Sequence, residues 1–252
     1  MALTKAETRE FFTNANHYMY AGELRDAHLA PFLKRLDADG KLGNVIVDAG
    51  SASWKRFDIN APGQVRGKFV AHSELKHEDV TEYTRSLRSA RNYIPTKGKR
   101  LIRFDLGFSK PFEEIEPGVV NIQGDLEEDP RSFSARRKLV LAKRFLGGRR
   151  KVDTVVLADV LNYVDFKRVL SNVHSFLKRG GRVIVVNTVD RTQHESLLHD
   201  KRPKANLDVV AHLRTLGMRV EHVGFEKDAI VHYPSIHTSV PEDNAVIVAR
   251  KK

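Results

Sequence analysis

The chain of 252 residues carries 43 Lys and Arg against 32 Asp and Glu, a formal net charge of +11, with 41% hydrophobic residues, 30% charged residues and no cysteine. That length supports one sizeable core, and no apolar run is long enough to span a bilayer. The lack of cysteine excludes disulfides, thiolate nucleophiles and Cys-ligated zinc, and the start MALTKAETREFF lacks the basic and apolar pattern of a secretory signal, so a cytoplasmic protein is expected.

From Lys5 to Leu36, apolar residues such as Phe11, Phe12, Tyr18, Leu29, Phe32 and Leu33 recur at helical spacing, with Gly22 as a break. This predicts two N-terminal helices, a helical cap over residues 1–42. The turn DADGKLG (37–43) delivers NVIVDAG, whose unbroken apolar run suits a strand buried on both faces of a parallel sheet. Residues 51–99 read as an insertion, with a strand in RGKFVAHSEL and a helix at about 74–93, which opens on Ser and acids and ends in Arg. KRLIRFDLG (99–107), GVVNIQGDLEED (118–129) and KVDTVVLADVLNYV (151–164) each run apolar into an aspartate and predict strands ending in a carboxylate.

In FKRVLSNVHSFLKRGGRVIVVNTV, Val169, Leu170, Val173 and Leu177 share one helical face, Gly180 and Gly181 stop the helix, and Val183–Val186 is the next strand. LDVVAHLRTLGMRVEHVGFE (207–226) repeats that grammar, with Gly217 as the stop and Met218–Phe225 as the strand, and NAVIVARK closes the chain as the last strand. Strands alternating with helices imply an α/β fold with a doubly wound, largely parallel sheet.

In such sheets ligands bind beyond the carboxyl ends of the strands. Asp48, Asp105, Asp125 and Asp159 fall there, with Gly50 after the first strand. Several carboxylates and one close-approach glycine match a nucleoside bearing ribose hydroxyls, an amino group and a cationic centre, whereas a pyrophosphate prefers bare backbone donors. The loop Gly50, Ser51, Ala52, Ser53, Trp54 is also not the G-x-G-x-x-G of a dinucleotide site. The eleven histidines include no H-E-x-x-H, and there is no G-x-S-x-G elbow or phosphate-binding P-loop, so no metal site is expected. His194, in the loop after Val183–Val186, reads either as a surface histidine or as a general base, a role open to an imidazole because it titrates near neutrality.

From about residue 43 onward the chain resembles the class I S-adenosylmethionine-dependent methyltransferases. The most specific stretch is VDTVVLADVLNYVDFKRVLSNVHSFLKRGGRVIVVN (152–187), in which LKRGG at 177–181 resembles the family's LKPGG turn. IVDAGSAS resembles the first motif, GVVNIQGDLEED the third, and LRTLGMRVEHVGFE with NAVIVARK the closing helix and strand pair. The resemblance implies a seven-stranded, mostly parallel Rossmann-like domain over 43–252, beneath the cap at 1–42. It also implies S-adenosylmethionine as cofactor and methyl transfer to an oxygen or nitrogen.

Carried over by position, Asp48, Gly50 and Ser51 stand at the methionine moiety and Asp105 at the ribose hydroxyls. Asp125 and Leu126 stand at the adenine, Asp159 beside the transferred methyl, and Asn162 and Tyr163 on the substrate side. Ala52 and Trp54 replace the second and third glycines of the first motif, and the segment between Asp48 and Asp105 exceeds the family's usual length. That length leaves a second register open, with GKFVAHSEL as the second strand, Glu74 at the ribose and Asp105 at the adenine. The loop after Asp48 either packs Trp54 inward and blocks the methionine end of the pocket or swings outward and leaves it open, and Gly50 with the intact acids favours the open path.

The resemblance of DVLNYVDF to small-molecule enzymes makes a small molecule the first expectation for the acceptor. The basic charge, clustered at 97–100, 134–151 and the terminal RKK, keeps RNA or protein as the second acceptor class and nucleic acid as a possible partner. A methyltransferase fold kept as a binding or scaffold module is the rival reading, and oligomeric state is not legible.

Overall fold

The computed structural model describes residues 29–50, 63–65, 68–70, 94–106, 108, 110–129, 145–148, 151–158, 160–189, 199–225 and 244–252. The first element, α1 (Ala30–Ala38), has Pro31 in its first turn, where a fixed φ suits the helix and a missing N–H costs nothing. Gly40 at φ 66° reverses the chain, and the Lys41 amide donates to the Leu36 carbonyl at 2.8 Å. That turn feeds β1 (Val45–Ala49). Further on come β2 (Gly63–Val65) and β3 (Lys68–Val70), which form a separate antiparallel ribbon.

β4 (Arg100–Asp105), β5 (Phe112–Glu116), β6 (Val119–Gln123), β7 (Val152–Ala158), β8 (Leu177–Thr188), β9 (Arg219–Phe225) and β10 (Asn244–Arg250) join β1 in one sheet. The eight strands run in the order β5-β6-β4-β1-β7-β8-β10-β9. β1 pairs in parallel with β4 and β7, and β4–β6 and β7–β8 are parallel too. β5 is antiparallel to β6, and β10 is antiparallel to both β8 and β9. The expected seven-stranded sheet is thus corrected to eight: Phe112–Glu116 folds back on β6 through a turn at Gly118, φ 86°. Of the two registers left open, the strand beside β1 is Arg100–Asp105, and Lys68–Val70 of the alternative lies in the ribbon.

Helices cover both faces of the sheet. α2 (Phe166–Phe176) joins β7 to β8, and α3 (Asn206–Thr215) precedes β9. Val169, Leu170 and Val173 of α2 and Val209, Val210 and Leu213 of α3 pack on Val45, Val155, Leu157, Val183 and Ile247. On the opposite face Leu29 and Leu33 pack on Ile46, Leu101, Val156, Ile184 and Val246. Each such side chain taken fully out of water contributes about 1.5–3 kcal/mol. The layered burial follows from the two-residue period of the strands.

The C-terminal end of α1 sits at the amino ends of the strands: Asp37 pairs with Lys99 at 2.6 Å, and the Lys41 carbonyl accepts from Arg182 at 3.0 Å. The described part of the expected cap is therefore a sheet-face helix. Residues 1–28 and the helix expected at about 74–93 lie outside the described residues.

α2 ends at Phe176, before the glycine pair expected to stop it, because Leu177 is already extended at φ −67°, ψ 138°. Its last carbonyls are held by lysines: Lys251 donates to His174 O at 2.7 Å, and Lys151 donates to Ser175 O. Gly180 and Gly181 instead lie in the irregular stretch between the Val152–Leu177 and Thr154–Arg182 pairs, and a Cβ on Gly181 would stand 2.9 Å from the Asp153 carbonyl. Among the described residues no helix is long and apolar enough to cross a membrane.

Candidate functional site

The chain leaves β1 for β4 and β6 on one side of the sheet and returns to β7 and β8 on the other, so strand order reverses between β1 and β7. In open sheets of this kind ligands bind at the carboxyl ends of the strands beside such a switch point. Gly50 closes β1 there at φ 77°, with its amide donating to the Phe104 carbonyl at 2.7 Å.

Asp105 is the last residue of β4, and Asp125 follows β6 by two residues. Gly124 between them donates to the Asp105 carbonyl at 3.1 Å and has no room for a Cβ, which would stand 2.1 Å from Cζ of Phe104. Asp125 shapes its own turn: Oδ1 accepts from the Glu127 amide at 2.8 Å and its carbonyl accepts from Glu128 at 3.1 Å. Leu126 is half-buried and packs on the core beneath α2.

Asp48 sits lower, within β1, with only 2% of its surface exposed. It stands beside Arg103 of β4, which stands beside Asn121 of β6. Each lies two residues beyond a member of the α1-side core (Ile46, Leu101, Val119), so the three form a polar row on that face.

The structure thus brings Asp48, Gly50, Asp105, Asp125 and Leu126 to the ends of three adjacent strands. Asn162 and Tyr163 come to the same edge in a single 3-10 turn after β7, with Asn162 buried and Tyr163 half-buried. Ser51, Trp54, Glu74, Asp159 and His194 lie outside the described residues.

Beside this edge is a group of contacts that sequence reading did not single out. Asp165 caps α2, its Oδ1 accepting from the Arg168 amide at 3.2 Å, while its own amide donates to Glu127 of the Asp125 turn. Lys201 reaches Asp165 Oδ2 at 3.0 Å. Burial pushes the Asp165 carboxyl up, but the Lys201 and Arg168 hydrogen bonds and the nearby charges of Lys201 and His199 outweigh it and hold it below the usual range.

The His199 amide donates to the Asn162 carbonyl at 2.9 Å, and its Nδ1 accepts from the Lys201 amide at 3.0 Å. Its Nε2 stands 3.6 Å from Glu127 Oε1. Asn172 of α2 donates to the carbonyls of Leu126 and Glu128 at 2.8 and 3.1 Å. Asn187, near the end of β8, donates to Asn206 Oδ1 at 2.9 Å and fastens the start of α3. These contacts join the turn after β6, the turn after β7 and the loop before α3 into one polar latch.

No family model matches the sequence, and no curated protein sequence matches it significantly. Solved structures do match. Burkholderia thailandensis 1,6-didemethyltoxoflavin-N1-methyltransferase, with 1,6-didemethyltoxoflavin and S-adenosylhomocysteine bound, is 16% identical at a TM-score of 0.52, over 100% of this chain and 92% of that one. A candidate methyltransferase from Thermobifida fusca YX is 12% identical at a TM-score of 0.50, over 98% of this chain and 88% of that one. The chain has the fold of the class I S-adenosylmethionine-dependent methyltransferases.

Proposed function

We propose that the chain binds S-adenosylmethionine at the carboxyl ends of β1, β4 and β6 and methylates an oxygen or nitrogen of a small molecule. The observation that carries this is the set of acids at three neighbouring strand ends beside the switch point, in a fold shared with an enzyme solved with S-adenosylhomocysteine. The donor set fits the cofactor. Asp105 offers paired acceptors to the ribose hydroxyls, and Asp125 takes the exocyclic amine of the adenine while Leu126 lies against the ring. Asp48 acts on the methionine amino group through the loop of Gly50 and Ser51, and Asp159 stands at the methyl end.

The bound cofactor supplies a methyl group on a cationic sulfur, an electrophile that leaves a nucleophilic acceptor needing little more than alignment. Asn162 and Tyr163 position that acceptor, and His194 takes its proton where it carries one. A small-molecule acceptor is supported by the likeness to the 1,6-didemethyltoxoflavin-N1-methyltransferase.

The test is calorimetric titration with S-adenosylmethionine, its demethylated product and NAD as control. Wild type should bind the first two, and Asp105→Ala should weaken binding by about 1.5–3 kcal/mol through loss of a charged hydrogen-bond partner. Absence of heat with either ligand at millimolar concentration would leave the scaffold reading in its place.

A further inference from the structure

An open groove of about 800 Å³ runs between α2 and α3; Asp165 and Lys201 of the latch line it, and Asp48, Gly50, Asp105 and Asp125 do not. Lys167 and Arg168 of α2 face Lys201, Arg202 and Lys204 of the loop before α3 across it. All of these but the half-buried Arg202 are exposed. Hydrogen bonds tie the floor together: His212 Nε2 of α3 donates to the Lys167 carbonyl of α2 at 3.0 Å, and Ser171 donates to the same carbonyl at 2.7 Å.

We infer that this groove is a docking surface for the sugar-phosphate backbone of RNA. Two groups of cations on long side chains, set on either side of an open trough, track a line of phosphates rather than enclose one. The helix starts argue against a single small phosphate, because each already holds a carboxylate. Asp165 occupies the Arg168 amide, and Asp208 occupies the amides of Lys204 and Ala205 at 2.8 and 2.9 Å. Of the rings in the lining Phe166 is buried and His212 half-buried and bonded to the Lys167 carbonyl, so cations on the backbone dominate and binding disregards base sequence. The net charge of +11 adds long-range attraction for the same partner. The inference is independent of methyl transfer and is tested without cofactor.

The experiment measures fluorescence anisotropy of labelled single-stranded RNA, one of mixed sequence and one homopolymer, titrated with the full chain between about 50 and 200 mM salt. The groove variant is Arg168→Ala with Lys204→Ala. The control is Lys34→Ala with Lys97→Ala, exposed lysines elsewhere that remove the same charge. Far-ultraviolet circular dichroism and melting confirm folding.

The groove variant should lose about tenfold in affinity for both RNAs and lower the salt slope by about 1.4, the share of two phosphates on a single strand. The control should change affinity less than twofold. Equal losses in both variants would reduce the effect to bulk charge and overturn the proposal, as would absence of wild-type binding at the lowest salt. Competition by inorganic phosphate or adenosine 5′-monophosphate at the dissociation constant found for RNA would show a small phosphate ester as the ligand and overturn it equally.

Discussion

Gly50 and Val160 share one space at the switch point: a Cβ built on Gly50 would stand 2.3 Å from Val160 Cγ2. The glycine is therefore required by the protein's own packing as well as by its φ of 77°. A ligand's close approach is not needed to explain it, and a branched residue at position 50 would report on folding before it reported on binding.

Gly50→Ala should lose stability from two sources, the left-handed backbone and the displaced valine, together about 2–4 kcal/mol in urea unfolding. Val160→Ala in the same chain removes the colliding methyl groups. The double variant should then be more stable than the sum of the single losses predicts. Strict additivity would show that the two residues do not compete for the same volume.

At the other end of β1, Asp153 of β7 bolts the sheet together. Its Oδ2 accepts from the amides of Asn44 and Val45, each at 2.8 Å, and its Oδ1 pairs with Lys178, with 7% of the residue exposed. Burial raises the carboxyl, but Lys178 and the two amides outweigh it and hold it below the ordinary 3.8. Because the folded value is depressed, the unfolded chain binds the proton first on acidification. The stabilisation is full above the unfolded value and disappears as pH falls through the folded one.

Asp153→Asn should cost about 1.5–3 kcal/mol at neutral pH. The gap from wild type should stay constant down to about pH 5 and shrink below about pH 4. A gap that persists undiminished at the acid end would remove the charge from the explanation.

Much of this fold is written in local pattern. β1, β7 and the Val183–Val186 part of β8 are buried on both faces, so they appear as unbroken apolar runs, and flanking Asp and Gly residues mark their ends. β5, FEEIE, escaped notice because it is a sheet-edge strand paired only with β6, half-exposed along its length, and has no run to read. Gly180 and Gly181 look like a helix stop in sequence, but the helix end is set by Leu177 and the two lysines that hold its carbonyls.

The acids Asp48, Asp105 and Asp125 were legible because each stands at or just past the end of its own apolar run. The latch around Glu127, Asp165, His199 and Lys201 and the cations of the groove were not. Their partners come from segments that only the fold brings together, and no periodicity connects them.

That latch bears on the candidate cofactor site through Asn172. Its side-chain amide donates to the carbonyls of Leu126 and Glu128 at 2.8 and 3.1 Å, on either side of the residue whose amide is held by Asp125 Oδ1. The turn expected to face adenine is thus held from below by α2, whose own position is fixed by burial of Val169, Leu170 and Val173. Asn172→Ala leaves that buried stripe intact and frees two carbonyls. Stability should fall by about 1–2 kcal/mol, the net worth of two neutral hydrogen bonds. If the turn contacts the adenine, affinity for S-adenosylhomocysteine should fall severalfold, while Asn172→Asp, which cannot donate, should behave like the alanine variant. Asn172→Gln tests reach: one longer methylene moves the donor, so it should recover stability only in part. Unchanged affinity in a destabilised Asn172→Ala protein would separate the turn from the ligand and move the adenine role away from Asp125 and Leu126.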